Sequence, residues 1–212
     1  MDLTRDFVKS KRPCSSGLRW FLRNYEKGSD YQPLLDALVS AGRVDDACWL
    51  LTQFGPTDAV LSVDSIDVDA IVFAGTLEVR GSIEADSIVR AGRTIQADGA
   101  IRCGKNLRAG GSITSLDCIC AGNGIEAGAT ILSHRHLEAN WGIRAGKSII
   151  AHGAIKAGES LQAEEDIRSG DGYGIYAGLD VQFDAWEASA RVRARSRPER
   201  LMSGWWTGTC PA

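Results

Sequence analysis

Between residues 71 and 167 one large aliphatic residue returns at every sixth position without a slip. The series runs Ile71, Leu77, Ile83, Val89, Ile95 and Ile101, and continues through Leu107, Ile113, Ile119 and Ile125 as far as Ile167. All 17 positions are Leu, Ile or Val. Two residues later, 15 of the 17 carry a small side chain: 11 Ala, three Ser (Ser115, Ser133, Ser169) and Cys103. The position after that is glycine in 8 of 17, as in Ala91-Gly92 and Ala145-Gly146.

In an extended segment, residues i and i+2 point to the same side and i+1 to the other. A large and a small apolar side chain therefore share an interior, and the residue between them faces out. A helix needs apolar spacings of three and four, which this pattern lacks. Glycine after the small residue suits a corner, because it adopts backbone conformations that other residues resist. Short strands joined by corners at a fixed period predict a mainly β fold, a single-stranded β-solenoid (β-helix). Three six-residue units per turn give about 18 residues per coil, with adjacent coils ~4.8 Å apart. The uninterrupted series then fills five to six coils. Each buried aliphatic contributes about 1.5–3 kcal/mol in gross terms, and stacking shields an interior that one coil alone leaves open.

The flanks follow other rules. Ser15-Ser16 can cap a helix start, and Leu18, Trp20, Phe21 and Leu22 follow. Leu34, Leu35, Leu38 and Val39 have helical spacing before Gly42, and Val44, Ala47, Cys48 and Leu51 form a stripe that Gly55-Pro56 ends. Two or three short helices are expected. At the other end Ile167 is followed by Ile175 and then Val181, and the repeat is lost after Ala185. Arg191, Arg193, Arg195, Arg197 and Arg200 form a basic run ahead of Trp205-Trp206. The division is 1–58, a helical cap or interaction module; 59–185, the solenoid; and 186–212, a basic, Trp-containing tail or closing strand.

The repeat resembles hexapeptide-repeat β-solenoids over residues 70–185. It is more similar to bactofilin-like, polymer-forming solenoids than to left-handed β-helix acyltransferases. The acyltransferase pattern puts Gly, Ala, Asp or Glu after the aliphatic and a small residue four later. Here Glu78, Arg90, Arg102 and Lys156 follow the aliphatic, and the small residue comes two later. The bactofilin-like resemblance implies a scaffold role. The acyltransferase resemblance implies a surface histidine as general base, for which His152 or His134 would be the candidate.

Composition narrows the partners. Net charge is −3, so bulk charge does not point to nucleic acid or a membrane surface. The start of the chain has no secretory signal, and no apolar run is long enough to span a bilayer. The six cysteines form no paired framework and read as reduced thiols, so a cytoplasmic address is expected. His134 and His152 lie 18 residues apart, on adjacent coils of one face. With His136 they offer nitrogen ligands but no closing carboxylate or thiol pattern for zinc. Neither a metal nor a cofactor is expected.

Stacked outward positions carry the functional reading. Arg90, Arg108, Glu126 and Arg144 share one column, and Glu84 lies beside Arg102 and Glu138 beside Lys156; these read as solvated charge ladders. Thr114, Leu132 and Ile150 share a column on the third face, beside Leu116, His134 and His152. Outward Leu and Ile mark a contact surface. The expected interface residues are Leu116, Leu132, His134, Ile150 and His152, with Trp20 and Phe21 on the helices and Trp205 and Trp206 on the tail. The expected function is non-enzymatic: a homo-oligomer (dimer or trimer) that binds or blocks a protein partner as an inhibitor or immunity protein. A polymer-forming scaffold and an acyltransferase are the alternatives.

Overall fold

A computed structural model describes residues 2–25 and 28–209. Four helices come first: α1 (Arg5–Ser10), α2 (Ser15–Asn24), α3 (Tyr31–Ser40) and α4 (Val44–Phe54). The sequence predicts two or three, because the one-and-a-half turns of α1 hold too few apolar positions to show a period. The cap of α2 is also one residue earlier than expected. Cys14 is the N-cap, its sulfur accepting the Gly17 amide at 3.2 Å, and Ser15 is already helical. Residues Asp2–Leu3 pair antiparallel with Ser29–Asp30, closing the module.

A parallel β-solenoid of about eight coils follows, its strands stacked into three sheets. Sheet 1 begins at Val60–Val63, sheet 2 at Ile66–Val68 and sheet 3 at Ile71–Phe73. Within each sheet a residue pairs with the one a full coil later: Ile101 with Ile119, Leu107 with Ile125, Ile113 with Ile131. This is the 18-residue turn that the sequence predicts. Large aliphatics and small residues alternate inward along each strand and form one continuous core.

The solenoid is longer than the five to six coils expected, because both flanks add to it. Leu61 pairs with Leu77 and Ile66 with Ile83, so a slightly shorter coil precedes Ile71. Beyond Ile167 the coil does not end at Ala185. Val181 was expected to continue the series, but it lies outside any strand. Residues 178–190 leave the coil as an excursion containing α5 (Trp186–Ser189), and Val192 takes the place in sheet 3 beside Leu161. Gly178 makes this exit possible: its φ is +74°, and a Cβ there would lie 2.3 Å from the Ala190 Cβ. Strands Arg191–Arg193, Leu201–Ser203 and Trp205–Trp206 then extend sheets 2 and 3. Among the described residues, sheet 1 ends at Ile167–Arg168 with seven strands and the other two have eight.

The corner glycines serve a different purpose from the one expected. Gly92, Gly110, Gly128 and Gly146 do not have positive φ. A Cβ on each would instead come within 2.1–2.3 Å of a carbonyl oxygen in the preceding coil. Close approach between coils is the reason for glycine there.

The helices meet the solenoid at the leading edge of sheet 3. Val72 and Ala74 are buried in the same cluster as Leu34, Leu35, Leu50 and Leu51. A first strand presents unpaired backbone groups on its outer edge. Gln32 on α3 satisfies two of them: Oε1 accepts the Ala74 amide at 2.8 Å, and Nε2 donates to the Val72 carbonyl at 3.1 Å. One side chain substitutes here for a neighbouring strand.

Candidate interaction surface

The outer face of sheet 1 gathers the main residues that the sequence singles out. Thr114, Leu132 and Ile150 stand in register on successive strands, each outward and partly exposed. Beside them, at the corner that follows each strand, are Leu116, His134 and His152. Leu116 is 49% exposed. The imidazoles of His134 and His152 pack on each other with ring centroids 4.7 Å apart. Polar residues bound this stack: Gln96 precedes Thr114, and Arg168 follows Ile150.

The local sequence explains why this corner carries side chains. The equivalent corner of sheet 3 is glycine in four successive coils, whereas sheet 1 has Leu116 and His134 there. These two follow Ser115 and Ser133, which are fully buried. The Ser115 hydroxyl donates to Gly99 O at 2.8 Å and accepts the Asp117 amide at 3.0 Å. Ser133 repeats the device, donating to Asp117 O at 2.8 Å and accepting the Arg135 amide. A buried hydroxyl with its partners in place is stabilising where an unpaired one would be costly. The serines tie the corner backbone to the preceding coil.

His136 is set apart from the other two histidines. Its Nδ1 accepts the Ala154 amide at 3.1 Å, and its ring meets Tyr173 edge-on at 5.4 Å. Among the described residues no group of three or more His, Cys, Asp or Glu side chains is placed to hold a metal ion, and no helix is long and apolar enough to cross a membrane. The five described cysteines are free; Cys210 lies outside the described residues. Burial raises the Cys103 thiol to about 11. It also raises Cys120, with the neighbouring Cys118 adding to the shift.

One expected contact residue, Phe21, is corrected, and two others, Trp20 and Trp206, are partly covered. Phe21 is 4% exposed, in the core of the helical module with Leu34 and Leu38, so it has no surface to offer. Trp20 is partly buried, tilted against Tyr25 with centroids 5.8 Å apart and with the Arg43 guanidinium 6.0 Å over its ring. Trp206 stands in register with Val192 and packs, partly buried, against the solenoid core. Trp205 alternates outward and stays exposed.

Two charge ladders differ more than the sequence suggests. On sheet 2 both expected ion pairs form, Arg102 with Glu84 at 2.7 Å and Lys156 with Glu138 at 3.7 Å. On sheet 3 Arg108 pairs with Glu126 at 3.2 Å. Arg90 instead donates to the Thr52 hydroxyl of α4 at 2.7 Å.

The fold and its outer faces define a parallel β-solenoid with an N-terminal helical module. Residues 1–54 match the family model described as the YdhT N-terminal domain, a stretch that contains all four N-terminal helices. Neither a curated protein nor a solved structure matches the chain.

Proposed function

We propose that this chain is a non-enzymatic interaction protein: a rigid solenoid that self-associates through the outer face of sheet 1 and binds or blocks a partner protein. The observation that carries this reading is the outward stack of Leu132 and Ile150 beside the exposed Leu116. On sheets 2 and 3 most outward positions of the middle coils carry charge or amide groups, with Cys120 the exception, and an apolar stack in the middle of a solvated sheet is best accounted for by a covering surface. Stacked coils make the face flat and stiff, so little ordering is lost on contact. A dimer or trimer with an inhibitor or immunity role fits these features.

Light scattering after size exclusion tests this. Wild type should elute at a small whole multiple of 22.7 kDa. The double variant Leu132→Asp with Ile150→Asp should elute as a monomer with an unchanged β-sheet circular dichroism spectrum. An identical mass for the two proteins removes sheet 1 as the assembly surface.

A bactofilin-like filament is the second reading, favoured by the outer edges of the last strands of sheets 2 and 3, which have no further strand beside them among the described residues. Gln32 and α3 occupy the opposite edge of sheet 3 and oppose end-to-end growth there. Sedimentable polymer in wild type would reverse this order of preference.

A further inference from the structure

The outer column of sheet 3 runs Arg90, Arg108, Glu126, Arg144, Gln162 and Arg193 on six successive strands. Four guanidiniums and one carboxylate thus stand in a single file on a chain whose net charge is −3. Among the described residues only Arg108 of these has a carboxylate partner, Glu126. Among the described residues Arg144 forms neither an ion pair nor a side-chain hydrogen bond, and Arg90 and Arg193 donate to the neutral hydroxyls of Thr52 and Thr207. Three guanidiniums of the file therefore have no ion-pair partner of their own, although Asp45 and Glu159 stand in the lining beside them.

The surroundings shape this file into a binding trough. On one side the adjoining column includes Gly124 and Gly142, where missing side chains leave a depression of about 520 Å³. That volume is in the range of ligand-binding clefts, roughly 300–1,000 Å³. Trp141 stands at its wall, 50% exposed, and Asp45 and Cys48 of α4 close one end. On the other side Gly92, Gly110 and Gly128 border a second, smaller depression of about 170 Å³ along the same arginines. A backbone can approach the arginines from either flank.

We propose that the outer face of sheet 3 binds an extended acidic segment of a partner protein, laid along the rod and anchored by an apolar side chain against Trp141. This rests on the reading of the chain as a protein-binding protein, and assigns the partner a surface separate from sheet 1. The spacing is compatible. Arg90 and Arg144 are three coils apart, about 14 Å at ~4.8 Å per coil, and residues i and i+4 of an extended chain span about 14 Å. Carboxylates at those positions can each take a planar, two-pronged contact from a guanidinium. A polynucleotide fits less well. Its continuous phosphates would meet Glu126 within the file, and Asp45 and Glu159 beside it, whereas a peptide places negative charge only where the arginines are.

Fluorescence anisotropy tests the proposal on the full chain. The probe is a labelled peptide of threonines with two glutamates four positions apart and a phenylalanine between them. Its controls are the same peptide with glutamines, and an oligothymidylate of similar length. The glutamate peptide should bind at low salt about tenfold more tightly than the glutamine control, with affinity falling as salt rises. Arg144→Gln should weaken binding about fivefold or more, Trp141→Ala should weaken it without changing the salt dependence, and Glu126→Gln should tighten it. The Leu132→Asp/Ile150→Asp variant should bind as wild type does, so loss of self-association and loss of peptide binding are read separately. Equal affinity for the two peptides, insensitivity to Arg144→Gln, or tighter binding of oligothymidylate would each overturn the proposal.

Discussion

Single residues settle where this chain is rigid. Tyr31 opens α3, is almost fully buried, and donates its hydroxyl to the Gly55 carbonyl at 2.9 Å. Burial raises its pKa to about 12, with the Arg90 charge acting the other way. An unfolded tyrosine ionises near ~10. Below that range both states hold a neutral phenol and the contribution to stability is fully present. As pH rises from there towards about 12, the unfolded chain ionises first and the contribution is lost. Wild type should therefore lose helical-module stability across that window in denaturant melts. Tyr31→Phe should be less stable at neutral pH but lose much less as pH rises. A Tyr31→Phe curve parallel to wild type would contradict the assignment. None of this was legible in the sequence, where Tyr31 is one aromatic among several near a helix start. The serines are similar: Ser115 and Ser133 were visible as small inward residues, but their role in turning the corner depends on backbone groups from two coils.

At the scale of elements, the join between helices and solenoid depends on an amide side chain acting as a strand. Gln32 contacts Val72, Ala74 and Asp36 together. Gln32→Ala should leave the Ala74 amide unpaired, costing about 1–3 kcal/mol and speeding exchange at that amide while the amides of Ile113 and Ile131 stay protected. Unchanged exchange at Ala74 would show that the edge is covered by something else. The sequence identified strands well, because a large residue every six positions with a small partner two later fits a short extended segment and not a helix. It failed where the period was interrupted. Residues 178–190 break the count, yet Val192-x-Ala194 carries the same large-then-small pair as the strands before it, and both side chains are fully buried. Searching for the pair without demanding the step would have found this strand. The arginine file suffered likewise: four members were placed in one column, but Arg193 joins only once the excursion is accounted for.

Across the whole molecule, three faces of one rod have three chemistries. Sheet 2 carries charges that pair with each other, sheet 3 an unbalanced file of arginines, and sheet 1 an apolar stack with two packed imidazoles. The interior explains the architecture and is nearly uniform, so specificity lies in the outward positions, one per strand, and in the corners. Those positions were legible as columns because 18-residue stacking follows from the repeat. Which columns stay unsatisfied was not legible, because that depends on side chains reaching between coils and on α4 lying against sheet 3.

Self-association through sheet 1 is the proposal on which the function rests. The most direct measurement is hydrogen exchange on wild type at low and high protein concentration. If copies meet at sheet 1, segments 113–116, 131–134 and 149–152 gain protection as concentration rises, while the matching strands of sheet 2 do not change. Protection that rises uniformly, or only in the helices or the last coil, would contradict it.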